Sequence, residues 1–514
     1  MQPFSTMNRP TFSRRAALRG TALAGVATAI GVRPLRVGAT QVSTPRATPA
    51  SGGDVPFPDT AIGREFASLV AAINSHDPDT LLAHFEQYGL ADRAEGMAAM
   101  TFLTTKTWGE VVVHRFDDAT ETRLTALVET TLGEEWLTIH LERDGERIGV
   151  DLVPAEPLPG TLPAGPLDDA ELAAEMAHYV DKLADAGVFS GAVLIARNGT
   201  EIVTTASGLA DLENGEPNTA GTRFNLGSMN KMFTSVAIGQ LVDAGTVAFT
   251  DTISKHLPDY PSEVAANVTI HHLLTHTSGL GDFFGPGYDR EKESLHTLED
   301  YLPLFVDEPL RFEPGARHEY SNAGFIVLGL IIEAVTGRDY FDHVREQVYA
   351  PAGMDATDAF ERDAAVPDRA IGYTVRLPMD PANLTIADVL ADPEPNDFFL
   401  APRGTSAGGG YSTVGDLLRF DQALREAKLA SPDTIATLIE GKVNVPRPGV
   451  KYAYGFEDDR SGTERIVGHG GGAPGISGKL DMYWDLDATV IALGNHDFVA
   501  ELVSMKAKRL LQAG

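Results

Sequence analysis

Asn225-Leu226-Gly227-Ser228-Met229-Asn230-Lys231-Met232-Phe233-Thr234 decides how the chain is read. It sets a serine and a lysine three residues apart, at the head of an apolar run that stops at Asp243-Ala244-Gly245. On a helix this spacing is one face, with Cβ atoms about 5–6 Å apart. A serine hydroxyl is a poor nucleophile until a base takes its proton. A free lysine, with pKa about 10.4, is protonated at neutral pH, and bringing it near 7 takes about 4 kcal/mol of differential stabilisation. Burial against Met232, Phe233, Val236, Ile238 and Leu241 acts in that direction, because desolvation disfavours the ammonium. A helix N-terminus also disfavours the ammonium and favours an alkoxide. By itself a Ser-x-x-Lys tetrapeptide arises by chance about once in a chain of this length. Its company has to decide.

Two segments downstream supply that company. Glu313-Pro-Gly-Ala-Arg-His-Glu-Tyr320-Ser321-Asn322 is a turn followed by an apolar helix from Phe325 to Val335, ended by Gly337. A tyrosine held near Lys231 can carry a proton onward to a leaving group. Asn322 can hold Lys231 and donate to a substrate carbonyl. Taken alone, the segment reads as a buried tyrosine at a helix start. Gly468-His469-Gly470-Gly471-Gly472-Ala473-Pro474-Gly475 precedes a strand, and its glycines signal a close backbone approach. A substrate laid along that strand edge would take backbone hydrogen bonds. The N–H groups of Gly472 and Ser228 would then form an oxyanion hole, where one donor is worth about 3–4 kcal/mol.

Ser228-x-x-Lys231, Tyr320-x-Asn322 and His469-Gly470-Gly471, in that order, resemble the three motifs of the class C β-lactamase-related, penicillin-binding-protein-like serine hydrolases. Leu273-Leu-Thr-His276-Thr-Ser-Gly-Leu280, Pro351-Ala-Gly353-Met354 and Gly408-Gly-Gly-Tyr411-Ser-Thr413 match further stretches typical of that family, and the likeness covers about residues 168–500. The resemblance implies an α+β fold: a β-lactamase-like α/β sandwich with an all-helical insertion, here about 225–450. It implies a Ser228 acyl-enzyme formed and then hydrolysed, with Lys231 and Tyr320 as general base and acid. Asn322, His469, Gly470, Gly471 and Gly472 would bind substrate, and neither metal nor organic cofactor is implied.

The third motif departs from the Lys-Thr-Gly typical of β-lactamases and transpeptidases, where the lysine attracts a substrate carboxylate. A histidine of pKa about 6.5 is mostly neutral at pH 7. Esterases and D-peptidases of the family often carry histidine there. The expectation is a hydrolase of a small-molecule ester, amide or peptide substrate that handles β-lactams poorly. A D-alanyl-D-alanine carboxypeptidase or β-lactamase is the second reading. A catalytically silent protein that binds cell-wall or peptide ligands is a third. A Ser-His-Asp hydrolase ranks last, because no Gly-x-Ser-x-Gly elbow surrounds Ser228.

Working outward, residues 168–514 read as the hydrolase domain. A helix carrying Leu172, Met176, Tyr179 and Leu183 leads into a strand from Gly191, an Asn198-Gly199 turn and a return from Glu201 to Thr205. Strand-like segments recur at 452–456, 479–484 and 489–493, before a final helix over 498–511. One antiparallel sheet closed by both ends of the domain is the expected result. Prolines and glycines make 155–167 a linker. Residues 59–154 read as a small α+β domain. One helix carries Ile62, Phe66, Leu69, Val70 and Ile73, a second is capped by Asp77-Pro78, and four strands lie between Trp108 and Val153. Two helices and an antiparallel meander resemble the nuclear-transport-factor-like fold. His76, His84, His114 and His140 in this region match no metal spacing.

Residues 40–58 read as a flexible linker, and 1–39 as a twin-arginine-type export signal. The signal reading rests on Ser13-Arg14-Arg15-Ala16-Ala17-Leu18, an apolar run from Thr21 to Val32, and the lack of any acid before Asp54. That run is too short to span about 30 Å of hydrocarbon. The chain is therefore expected to be periplasmic, extracellular or at the cell surface, with no stable membrane span once the signal is removed. A net charge of −31 repels phosphate backbones, so no nucleic-acid partner is expected. The absence of cysteine rules out disulfides, thiolate metal sites and cysteine nucleophiles.

Overall fold

Eight strands form the central antiparallel sheet of the computed structural model. It describes residues 55–512 except 89–92, 146, 156, 159–160, 162–164, 166 and 379–382. The expected export signal, most of the first linker and much of the second lie outside the described residues. In spatial order the strands are Val443–Asn444, Val450–Tyr452, Glu457–Asp459, Ile466–Ala473, Ile476–Tyr483, Ala488–Gly494, Gly191–Arg197 and Thr200–Ser207. The last strand in sequence pairs with the first long one, Val490 opposite Ile195, so both ends of the segment close one sheet. Those two strands are apolar without alternation, as strands covered on both faces must be. Asn198 and Gly199 have φ of 51° and 70°, the left-handed pair that a two-residue hairpin turn needs.

Helices Asp169–Asp185 and Val499–Gln512 cover one face, where Leu172, Met176, Leu183, Val503 and Leu510 share a core with Val193 and Val490. The first is held by a capping box between Asp168 and Glu171. The opposite face carries the insertion. There Val467, Leu480 and Ile491 pack under Phe233, Val236, Phe325 and Ile331. The helices Asn230–Asp243 and Asn322–Thr336 are buried nearly all round, which explains why their apolar residues form no single stripe. The insertion is largely but not wholly helical. Tyr411–Ser412 pairs with Phe224–Asn225, and Tyr373–Thr374 with Glu394–Pro395. The first of these ties the chain just ahead of Ser228 to the loop of Gly408 to Gly410.

Near the N-terminus, helices Ala61–Asn74, Pro78–Gln87 and Ala94–Thr105 precede a four-stranded antiparallel meander in sequence order. The third helix is missing from the sequence reading. It has no polar stripe: Ala98 faces the meander core, while Ala99 packs on Leu384 and Val389 of the insertion. A second contact lies at the loop before Trp136. The buried Tyr179 hydroxyl donates to Gly133 O at 2.9 Å, and Lys182 and Lys506 each reach Glu134 at 2.7 Å. Among the described residues no helix is long and apolar enough to cross a membrane. Tyr179→Phe leaves the Gly133 carbonyl unpaired. It is expected to cost about 1–2 kcal/mol, read as a lower urea midpoint at unchanged slope.

Candidate active site

Gly227, Ser228 and Met229 form one 3-10 turn, and the helix continues from Asn230 to Asp243. Gly227 has φ 49°, and a Cβ on it would lie 3.1 Å from Gly472 N. The glycine therefore permits both the left-handed bend and the passage of the glycine strand beside the serine. Lys231 is wholly buried one turn on. Its Nζ donates to Ala407 O at 2.6 Å and Asn322 Oδ1 at 2.8 Å, and lies 3.1 Å from Ser228 Oγ. The first two partners are acceptors with no proton to give. A neutral amine spends both N–H groups on them and turns its lone pair to the serine hydroxyl, which is the arrangement of a base. Burial pulls the Lys231 amine down to about 7, against the opposing pull of the Asp282 charge.

Tyr320 comes in from the turn before the helix Asn322–Thr336. Its hydroxyl faces Ser228, and burial pushes the phenol well up. His276 holds this turn from beneath. Its ring lies 4.1 Å from the Tyr320 ring at 32°, its Nδ1 accepts from Ser321 N at 3.1 Å, and its carbonyl accepts from Glu319 N at 2.9 Å. His276 adopts φ 55°, and burial drives its imidazole well below the usual range, so it is a neutral platform. Ser321 caps the helix through Gly324 N and donates to Gly281 O at 2.6 Å. Asn322 turns Oδ1 to Lys231 and Nδ2 to Asp282 Oδ2, at 2.9 Å.

The strand Ile466–Ala473 brings the third motif alongside. Gly471 is where the close approach occurs: a Cβ there would lie 1.9 Å from Leu226 O. At Gly470 and Gly472 the nearest atoms would be 3.6 and 3.9 Å away, so those two are not required by packing. The neighbouring strand Glu457–Asp459 pairs only as far as Gly468. Beyond it, among the described residues, no strand takes the outer edge of Gly470 to Ala473, which leaves backbone groups for a ligand. His469 is buried. Its Nδ1 donates to Gly470 O at 2.5 Å, so Nε2 accepts from the Tyr452 hydroxyl at 2.9 Å. Burial lowers the ring to about 4. Both nitrogens are taken by the protein, so the neutral histidine braces the strand and Tyr452 instead of reaching outward.

The structure thus gathers Ser228, Lys231, Tyr320, Asn322, His469 and the glycines Gly470 to Gly472 around one cleft. It adds His276, Asp282, Ala407 and Tyr452, to which the sequence reading gave no role. The segments 282–288 and 396–399 meet beside the glycine strand. Phe284 stacks on Phe399 at 5.4 Å, Tyr288 donates to Phe399 O at 2.9 Å, and Asn396 Nδ2 donates to Pro474 O at 2.8 Å.

Comparison with known proteins agrees with this geometry. Penicillin-binding protein 4* of Bacillus subtilis (strain 168) is 31% identical over 317 residues, 60% of this chain and 68% of that one. Esterase EstB of Burkholderia gladioli is 33% identical over 300 residues, 52% of this chain and 74% of its own length. The crystal structure of a penicillin binding protein from Bacillus halodurans aligns with TM-score 0.58 at 30% identity, covering 64% of this chain and 99% of that one. The family model described as Beta-lactamase matches residues 173–513, from the helix that opens the large sheet to the helix that closes it, and the chain therefore belongs to the beta-lactamase family.

Proposed function

We propose that the protein is a serine hydrolase that passes the acyl group of a small-molecule ester or amide through Ser228. The observation that carries this is the amine of Lys231, spent on two pure acceptors and 3.1 Å from Ser228 Oγ. Neutral Lys231 takes the hydroxyl proton as Oγ attacks the carbonyl carbon. The N–H groups of Ser228 and Gly472 receive the developing oxyanion. Tyr320 passes a proton to the departing oxygen or nitrogen, and the C–O or C–N bond breaks. Water then attacks the acyl-enzyme, the same groups move its proton to Ser228, and the acid leaves. The neutral, inward-turned His469 supports esters and amides over substrates that need a cation for their carboxylate. The name of the relative Esterase EstB points the same way. The twin-arginine segment over residues 1–39 supports export from the cytoplasm, and the helices and meander over 59–154 support a separate small α+β domain, like nuclear-transport-factor folds.

A fluorophosphonate probe is expected to label the wild type and not Ser228→Ala, and Tyr320→Phe is expected to lose about a hundredfold or more in kcat on esters. Absence of labelling would leave the binding-protein reading standing. The active form carries Lys231 neutral, so kcat/KM should rise with pH through a midpoint of about 7 and then level off. The upward shift of Tyr320 keeps its own ionisation from cutting into that plateau. A pH profile on a short-chain nitrophenyl ester measures both features. On substrate class, initial rates on such esters should exceed those on a chromogenic cephalosporin, and β-lactam turnover faster by orders of magnitude would reverse the assignment. Replacing Arg14 and Arg15 together by Lys should retain the protein in the cytoplasmic fraction.

A further inference from the structure

Asp282 follows Gly281, whose carbonyl takes the Ser321 hydroxyl, and so is carried to the start of the helix Asn322–Thr336. Both its oxygens are engaged by donors. Oδ2 accepts from Asn322 Nδ2 at 2.9 Å, and Oδ1 accepts from Phe284 N at 3.2 Å. The other end of the Asn322 amide faces Lys231 Nζ at 2.8 Å. An amide can be turned end for end at little cost in shape, and its partners decide which way it points. A carboxylate only accepts. With Asn322 reversed, oxygen would face oxygen at Asp282 and N–H would face the amine at Lys231.

We propose that Asp282 is a positioning residue for the catalytic base, its carboxylate fixing the Asn322 amide so that the oxygen, and not the nitrogen, faces Lys231. The proposal rests on Ser228 and Lys231 being nucleophile and base. It makes Asp282, Asn322, Lys231 and Ser228 one line of hydrogen bonds across three segments of chain. With Oδ1 fixed as an acceptor, one lysine N–H is committed to it and a second to Ala407 O, and the lone pair is left for Ser228.

The negative charge of Asp282 has a second effect: it favours the ammonium form of Lys231 and so opposes burial. Other groups around the amine carry no comparable charge. His276 and His469 face it and are held neutral by burial. The rings of Tyr320 and Phe325 lie 4.8 and 5.3 Å from Nζ. Glu457 faces His469 and Tyr452 and is paired with Arg447 and Lys479. On the far side of Asp282, Arg311 and Glu308 pass Gly281, and Arg311 is bound to Glu319. Asp282 itself is pushed up by burial, and the N–H groups of Phe284 and Asn322 and the charge of Lys231 hold it down.

The test is the rate of fluorophosphonate labelling of Ser228 against pH in the wild type, Asp282→Asn and Asp282→Ala. Both variants remove the charge, so the midpoint of the acid limb should move to lower pH by about one unit. Both also leave Asn322 without a fixed acceptor, since an asparagine at 282 has one carbonyl oxygen for two donors. The plateau rate should therefore fall about tenfold. A residue with a merely structural role would lower the plateau and leave the midpoint in place, and that result overturns the proposal. So does an unchanged plateau in both variants. Asp282→Asn keeps the side-chain shape and carries the comparison if the alanine variant does not fold. A wild type that fails to label sinks the nucleophile assignment and this inference with it, whereas a wild type that labels with variants of the same midpoint sinks this inference alone.

Discussion

Lys231 has no contact with solvent, and an ammonium group taken out of water costs several kcal/mol unless its three donors are all met. Here they are met by a backbone carbonyl, an amide oxygen and a hydroxyl, none of them charged. Such a shell satisfies the geometry of the ammonium without fully compensating its charge, and a carboxylate in contact would have kept the lysine permanently protonated. With the nearest carboxylate, Asp282, set one amide further away, the group sits near its switching point at neutral pH. Everything else in the cleft is arranged around that balance. The helix Asn322–Thr336 presents Asn322 at its first turn, the loop at Ala407 presents a carbonyl, and His276 fixes the turn that carries Tyr320.

Close backbone packing makes this possible. The Gly408 loop runs so near the Ser228 turn that a Cβ at Gly408 would lie 2.9 Å from Gly227 O, and Gly471 is placed more tightly still against Leu226 O. Glycine at these positions lets three strands of backbone meet around one serine. The same packing leaves the Ser228 N–H and the free edge from Gly470 onward facing one space. The positions of Ser228 and of this edge are thus set by the main chain, which has no rotamer entropy to lose.

That Ser228, Lys231 and Tyr320 would lie together was legible in the sequence because each belongs to a short motif with fixed spacing, and the order of the motifs carried the fold. The sheet closure was legible as well, from apolar strands at both ends of one long segment. Asp282, His276, Ala407 and Tyr452 were not. Their roles come from contacts between segments far apart in sequence, Asp282 with Asn322 and Tyr452 with His469, and no local period records such a contact. His276 lay inside a recognised stretch, yet nothing about a histidine between two threonines says that its ring will lie under a tyrosine. The helix Ala94–Thr105 escaped for a related reason: it buries two faces against two different partners, so the single stripe that reveals an amphipathic helix is absent. His469 was read correctly as neutral, but its direction was not. Sequence gives its chemistry, whereas only packing shows both nitrogens turned inward.

The segment ahead of the sheet bears on the cleft through one connected path. Ala99 packs on Leu384 and Val389, at one end of the loop that reaches Asn396 and Phe399. Asn396 then holds the carbonyl of Pro474, two residues past Gly472, and Phe399 stacks on Phe284, two residues past Asp282. One loop therefore touches both walls of the cleft, the strand edge on one side and the segment that orients Asn322 on the other. Burial of Leu384 and Val389 against Ala99 anchors that end of the loop, which narrows the conformations open to the rest of it. The surroundings of Ser228 are in this way connected to residues that never approach it, and the helix Ala94–Thr105 joins that path through Ala99.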